Sequence, residues 1–274
     1  MKVIEPCELY HPTDLNAELN YCNFSFQTFI FAPVKPENRK NMRYFITLLG
    51  ACLISIAASA QKPEQITLKK VSSGMDIFTD IWQGMPDSVK SRTINQGINI
   101  YAMYSFPMAK SNFSVAIGGG ISSHNLYMKG IIKTVDNQTG FYPVKSATGV
   151  PISYNKSKLN LTYFDIPLEL RFKNKAEYRA SVGFKVGFLL SDHTKYKGNN
   201  LDGTGQKVKE KSADIQNVET VRYGINALVG YKWVNLTFFY SLSKVFTAGK
   251  GPQVYPISLG LSLRPYYSKN IYHQ

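Results

Sequence analysis

The sequence predicts an all-β protein, a transmembrane up-and-down antiparallel β-barrel of about eight strands. Three observations predict it. Beyond residue 70, apolar and polar residues alternate with period two in repeated segments. The connections between those segments are alternately long and short. A stretch resembling a secretory signal precedes them all. Charged residues make up only 18% of the chain, below the roughly one quarter usual in soluble domains. With 18 Tyr, 16 Phe and 20 Gly, the composition suits strands that have one wet and one greasy face. A mean hydropathy of −0.19 excludes a bundle of transmembrane helices.

Residues 1–41 fit neither a secretion signal nor an evident domain, and we expect them to be an upstream extension from a misplaced start. Residues 42–60 read as a signal peptide. Met42 and Arg43 form a short basic start, 44–57 an apolar core, and Ala58-Ser59-Ala60 a small-x-small site. Cleavage is expected between Ala60 and Gln61. The apolar core is shorter than the roughly 20 residues that a membrane-spanning helix needs. Two alternatives are a genuine N-terminal extension and a lipoprotein signal around Leu49-Gly50-Ala51-Cys52. Residues 61–70 would be a periplasmic N-terminal segment. The cysteines are Cys7, Cys22 and Cys52. A chain processed at Gln61 therefore has no disulfide and no thiolate metal site.

The barrel is expected over 71–265, with a C-terminal tail over 266–274. Its strand segments are 71–82, 95–106, 112–127, 158–173, 177–192, 218–232, 235–246 and 255–265. In the last, Tyr255, Ile257, Leu259, Leu261 and Leu263 alternate with Pro256, Ser258, Gly260, Ser262 and Arg264. Such alternation places one set on each face of a strand. In the first, Met75, Ile77, Thr79 and Ile81 form the apolar set. Most segments reach the 9–11 residues that a tilted strand needs to cross a bilayer. Gly118-Gly119-Gly120 lies mid-strand, where a bend or close backbone approach is expected. In 158–173 the apolar phase changes near Tyr163, from odd to even positions, which predicts a β-bulge there.

The connections 107–111, 174–176 and 233–234 are short, while 83–94, 128–157, 193–217 and 247–254 are long. An up-and-down barrel with its N-terminus in the periplasm has tight periplasmic turns and long outer loops. The hairpin of 158–173 and 177–192 has two registers that keep its greasy face outward. Pairing 173 with 177 sets Asp165 opposite Lys185 but Arg171 against Arg179. Sliding by two separates the arginines and leaves Asp165 diagonal to Lys185. A slip of one would turn every greasy residue inward.

Several stretches carry a family likeness: ISIAASAQ, FTDIW at 78–82, KSNFSVAIGGGIS at 110–122, KLNLTYFDIPLELRF at 158–172, YRASVGFKVGFLL at 178–190 and YPISLGLSLR at 255–264. In these the chain resembles the small outer-membrane β-barrel proteins of the Bacteroidetes group, the PorT-like family. The resemblance covers about residues 70–265 and is most specific in FDIPLELRF. It implies an outer-membrane location and a barrel, and no agreed activity.

Alternation points Asp165, Glu169, Arg171, Arg179, Lys185, Arg222 and Arg264 inward, where a polar lumen network is expected. Paired carboxylates there could do acid–base work, but the narrow lumen of eight strands is filled by side chains, so the structural role is preferred. His124 and His193 lie near Ser122, Ser123 and Ser191, which raises an outer-leaflet lipid hydrolase as an alternative. No HExxH or CxxC spacing occurs, so no metal and no cofactor is expected. Six Asn-x-Ser/Thr sites, among them Asn160 and Asn235, are read as chance.

The formal net charge is +14. The first 60 residues carry five basic and five acidic side chains, so the excess belongs to residues 61–274. It is spread out, without a Lys/Arg block or a nucleic-acid motif, so no nucleic-acid partner is expected. Outer-membrane lipid, lipopolysaccharide and other envelope proteins are the expected partners. The function so implied is a non-enzymatic envelope-structural or surface-interaction role. A secretion component, a narrow pore and a lipid-modifying enzyme are the alternatives.

Overall fold

The computed structural model describes residues 70–108, 111–146, 149–202 and 204–265. The expected extension, the signal with Ala60 and Gln61, and the tail 266–274 lie outside the described residues. The strands are β1 (Val71–Gln83), β2 (Gln96–Pro107), β3 (Phe113–Tyr127), β4 (Ile131–Val135), β5 (Gln138–Tyr142), β6 (Tyr154–Lys173), β7 (Tyr178–Asn199), β8 (Lys207–Ala213), β9 (Val221–Tyr231), β10 (Val234–Ser241) and β11 (Tyr255–Leu263). Eight of them close on one another in the order β1-β2-β3-β6-β7-β9-β10-β11, and β11 pairs with β1. Every adjacent pair is antiparallel. Closure leaves no sheet edge within the barrel to satisfy.

Sequence alternation decides which face is which. Ile77, Ile100, Ile121, Leu168, Phe184, Val229, Leu236 and Leu261 point outward and are 42 to 57% exposed. A continuous apolar belt of that kind would be untenable in water. Aromatic residues rim it. Phe113 meets Phe172 at 5.2 Å and Tyr178 meets Tyr231 at 5.1 Å at the short-turn end, while Tyr240 meets Tyr255 at 5.8 Å at the long-loop end. Such girdles mark the two interfaces of a membrane barrel.

Turn chemistry sets the short connections. Lys232 and Trp233 alone join β9 to β10, with Lys232 at φ 52°, and Glu177 ends the β6–β7 turn at φ 68°. The glycine run in β3 serves close approach. A Cβ on Gly118 would lie 2.1 Å from the Ala102 carbonyl oxygen, and one on Gly120 would lie 2.6 Å from the Tyr101 Cβ.

Three expectations change. First, β6 contains no bulge at Tyr163 against β3, because its register with β3 is constant from Phe172 to Lys158. The irregularity between Thr162 and Tyr163 is against β7, where Leu190 is the extra residue. What changes at Tyr163 is the surroundings. Odd residues of β6 face inward throughout: Asp165 and Glu169 meet a polar lumen, while Leu159, Leu161 and Tyr163 meet an apolar one. Even residues face outward, greasy from Phe172 to Phe164 and polar from Thr162 to Lys158.

Second, the long connections are partly ordered sheet. β4 and β5 form a hairpin through Asp136 and Asn137, both at positive φ as a two-residue I′ turn requires. β6 and β7 run on past the barrel as a taller hairpin, and β8 adds to its edge. Third, β10 stops at Ser241, so 242–246 turns away from the sheet. There Val245 and Phe246 join Trp82, Val89, Leu126, Met128, Phe141, Leu159, Leu161, Tyr163, Leu189, Ile215, Val218 and Val254 in one buried apolar cluster. This cluster caps the barrel at its loop end. Phe141 of β5 meets Phe246 edge-on at 5.9 Å, which fixes the β4–β5 hairpin over the cap.

Candidate functional site

The barrel's inward alternation gathers ionisable side chains in the lumen, and it does so in layers. Nearest the turn end, Glu169 of β6 is 2% exposed and is gripped from two sides. Arg264 donates to both carboxylate oxygens, at 3.0 and 3.1 Å, and Arg171 Nε donates at 2.8 Å. Asn226 Nδ2 adds a third donor at 3.0 Å. Arg264 Nε also donates to the Tyr101 hydroxyl, which contacts Asp76 at 3.1 Å. Asn99 Nδ2 satisfies the other oxygen of Asp76 at 2.8 Å.

One layer up, Asp165 accepts from Arg222 Nη2 at 2.8 and 3.0 Å, and Lys185 Nζ stands 3.7 Å away. The register is the slid one, with Arg171 opposite Ser181 and Asp165 opposite Gly187. Gly187 leaves room for the carboxylate, since a Cβ there would be 2.3 Å from its oxygen. Arg222 stacks at 4.2 Å on the Tyr163 ring and donates to Ser122 Oγ at 3.1 Å. Above it, His124 is 3% exposed between Arg222 and Asp80. Its Nδ1 lies 2.9 Å from Asp80 Oδ2, and Arg222 donates to its Nε2. The arrangement assigns the neutral Nδ1–H tautomer, because an Nε2 that accepts from a guanidinium carries no proton. Ser258 Oγ completes Asp80 at 2.6 Å.

Four carboxylates, Asp76, Asp80, Asp165 and Glu169, thus share the lumen with four cations, Arg171, Lys185, Arg222 and Arg264. Mutual neutralisation and hydrogen bonding are what make burying so many charges tolerable. Arg179 is half-buried and lies with Lys173 at the turn-end mouth, outside this core. Cavities in the lumen are small. One between Asp76, Tyr101, Asp165 and Glu169 has about 20 Å³ of room for water, and the mouth beside Arg171 and Arg179 has about 50 Å³. One water needs roughly 10–15 Å³ by the same measure.

The sequence pointed to Asp165, Glu169, Arg171, Arg179, Lys185, Arg222 and Arg264; the structure brings Asp165, Glu169, Arg171, Lys185, Arg222 and Arg264 into direct ion pairs and places Arg179 at the turn-end mouth. The sequence left Asp76, Asp80, Asn99, Tyr101 and Asn226 out of that network, and it set His124 beside Ser122 and Ser123 instead of within it. The signal for them was present: once Ile77, Thr79 and Ile81 face lipid, Asp76 and Asp80 must face in. The histidine–serine pairing is not made. Both nitrogens of His124 are taken by Asp80 and Arg222, Ser122 is bound to Arg222, and Ser123 is bound to Asn160. His193 pairs across to Asn160 and Ala213 on the outward face of the extension. Among the described residues no cluster of three His, Cys, Asp or Glu could hold a metal ion. Asn160 and Asn235 are buried, 7% and 1% exposed, and so are closed to any modification.

Comparison with known proteins agrees with the belted, closed barrel. A family model for the outer membrane protein β-barrel domain matches residues 19–247. No curated protein matches the sequence closely enough to count as a relative. Among solved structures, Ail, the attachment invasion locus protein of Yersinia pestis, in complex with the heparin analogue sucrose octasulfate, is 16% identical over 71% of this chain and 97% of that chain, with a TM-score of 0.35. The same protein in a phospholipid bilayer nanodisc is 16% identical over 70% and 98%, with a TM-score of 0.29. The family match spans most of the chain: the protein belongs to the outer membrane protein β-barrel domain family and resides in the bacterial outer membrane.

Proposed function

We propose that this protein is a non-enzymatic, non-conducting barrel that anchors a surface-interaction platform in the outer membrane. The observation that carries this reading is the doubly closed lumen. Paired charges fill its lower part and an apolar cluster caps its loop end. Eight strands enclose only enough space for side chains, whereas a wide aqueous pore needs about 16. A catalytic role is disfavoured because the buried carboxylates and His124 are each held by fixed partners. None has a free position toward a cavity large enough for a substrate. The ordered superstructure of β4, β5, β8 and the tall β6–β7 hairpin is then the part that meets partners, as loops on rigid scaffolds commonly do.

Two finer points belong to the same proposal. Kinship with the PorT-like barrels rests on the FDIPLELRF stretch, in which Asp165, Glu169 and Arg171 supply the network while Phe164, Ile166, Leu168 and Leu170 supply the belt. Export is assigned to the signal at 42–60, with the mature chain beginning at Gln61. The sealed lumen is tested in planar lipid bilayers with the purified barrel. We expect no current steps above baseline up to 150 mV or so. Stable unitary currents would overturn the reading in favour of a pore.

A further inference from the structure

The extension of the barrel wall beyond the lipid belt has a one-sided charge pattern. Register places Lys158 opposite Lys195, and Lys195 opposite Lys211. The next outward row sets Lys156 opposite Lys197, and Lys197 opposite Lys209. Lys207 follows on β8, opposite Asn199. These seven lysines share the outward face of β6, β7 and β8. The other outward positions there are Thr162, Asn160, Ser191, His193, Asn199 and Ala213, none of them acidic. The acids of the same segments point the other way: Asp192 is buried on the inward side and Glu210 lies opposite Tyr196. None of the seven has an ion pair among the described residues.

The inner edge of the array is held in place. Lys156 and Lys158 lie 5.3 and 5.7 Å from the centre of the Tyr127 ring, with the Arg92 guanidinium at 5.4 Å, and Lys158 Nζ donates to Asn125 Oδ1 at 2.7 Å. Like charges set directly across a sheet disfavour folding. Repeating that arrangement in two rows, with no acid interleaved, has no structural return within the chain. It fits an external anion.

Position identifies the anion. Along the outward face of β6 the order from the belt is Phe164, Thr162, Asn160, Lys158, Lys156. At about 3.3 Å per residue and a tilt of about 40°, the first lysine row stands roughly 15 Å above the last belt residue. The array faces sideways over the membrane rather than upward into the medium, because it continues the same sheet face that contacts lipid. Cross-strand neighbours are about 4.8 Å apart, a spacing at which several lysines reach one cluster of phosphates. We propose that the outward face of the β6–β7–β8 extension binds the phosphorylated and carboxylated inner sugars of lipopolysaccharide in the cell's own outer leaflet. This rests on the surface-interaction reading above, but not on the sealed lumen.

The test extracts the full-length barrel from outer membranes in mild detergent at physiological salt and measures lipopolysaccharide retained per barrel. The variant K195Q/K197Q/K209Q/K211Q removes the outer part of the array. These side chains are half-buried or exposed and mutually repelling, so the variant should keep its heat-modifiable gel shift. The variant with Arg at the same four positions keeps the charge, and K129Q/K133Q/K145Q/K250Q removes four exposed lysines elsewhere on the loops. A lysine beside an anionic lipid surface contributes on the order of fivefold in affinity, so we expect retained lipopolysaccharide to fall at least tenfold in the first variant. It should stay within twofold of wild type in the other two. An unchanged first variant, or an equal fall in the control, would overturn the assignment. A delipidated barrel is also offered a soluble sulfated polysaccharide. Loss of that binding alone, with lipopolysaccharide retention intact, would assign the face to a soluble polyanion and overturn the proposal. A barrel that passes no current yet holds no lipopolysaccharide would overturn this inference and leave the sealed barrel standing.

Discussion

Asp165 has two cationic neighbours, and their geometry predicts that they are unequal. Arg222 reaches it at 2.8 and 3.0 Å, inside hydrogen-bonding range, whereas Lys185 stands at 3.7 Å, outside it. At an effective dielectric constant of about 20, the direct attraction is about 6 kcal/mol at the first distance and about 4.5 at the second. A hydrogen bond to a charged group adds about 1.5–3 kcal/mol, and only Arg222 makes one. The Asp165–Arg222 coupling should therefore exceed the Asp165–Lys185 coupling by about 2 kcal/mol or more. Arg222→Met alone should cost about 3–5 kcal/mol, the usual result of stranding a buried charge, and it also leaves His124 Nε2 without its donor. Lys185→Met should cost less than Arg222→Met, because it leaves Asp165 with its hydrogen-bonded partner. Two double-mutant cycles with Asp165→Asn isolate the pair terms. The assay is urea unfolding of the barrel in lipid vesicles, followed by the fluorescence of Trp82 and Trp233 and by heat-modifiability on gels. A Lys185 coupling equal to or larger than that of Arg222 would refute the layered network described above.

Other outcomes follow from the same structure. Phe246→Ala in the loop-end cap should cost about 3–5 kcal/mol, the range for emptying a fully buried aromatic site, and protease nicking within 242–254 should report the loosened cap; wild-type resistance there would contradict it. Gly118→Val should prevent β2 and β3 from closing, because its Cβ would meet the Ala102 carbonyl oxygen at 2.1 Å, and the variant should show no heat-modifiable form. Epitope tags within 199–207 should react on intact cells, and a tag at 174–176 only after the outer membrane is opened; the reverse pattern would invert the barrel. N-terminal sequencing of protein from outer membranes should begin at Gln61, and recovery of residues 1–41 in the mature product would overturn the start-site argument.

Most of the barrel was legible because a membrane barrel writes its two faces into alternate residues. The segments around 71–82, 95–106 and 112–127 lie within a residue or so of β1, β2 and β3. The Asp165–Lys185 contact also followed from parity and the short 174–176 turn, since both registers considered keep Ile166 and Phe184 outward and bring these two charges close. What parity does not carry is height above the membrane. In β6 the greasy residues changed from odd to even at Tyr163, and a bulge was the simplest local account. The strand is in fact regular against β3, and it is the surroundings that exchange: lipid gives way to water outside, and a polar lumen gives way to an apolar cap inside. That cap draws Phe141 and Ile215 from segments read as connections, where no periodicity announces them, and Val218 and Phe246 from the ends of segments read as strands. Arg222 as the chief partner of Asp165 was likewise beyond the sequence. They are 57 residues apart, and only the closed barrel, with β9 beside β7 and β7 beside β6, sets the guanidinium against the carboxylate.

The exchange of environments along β6 is open to direct measurement. Residues 61–274 contain no cysteine, so each position from 158 to 172 can carry a single cysteine with a nitroxide label. Collision with oxygen, which partitions into lipid, and with a water-soluble nickel complex is then read by electron paramagnetic resonance in reconstituted membranes. The account predicts an unbroken period of two. Odd positions should be shielded from both reagents throughout. Even positions should meet oxygen from 172 to 164 and the nickel complex from 162 to 158. A reversal of parity at Tyr163, with odd positions 159 and 161 becoming lipid-accessible, would contradict it.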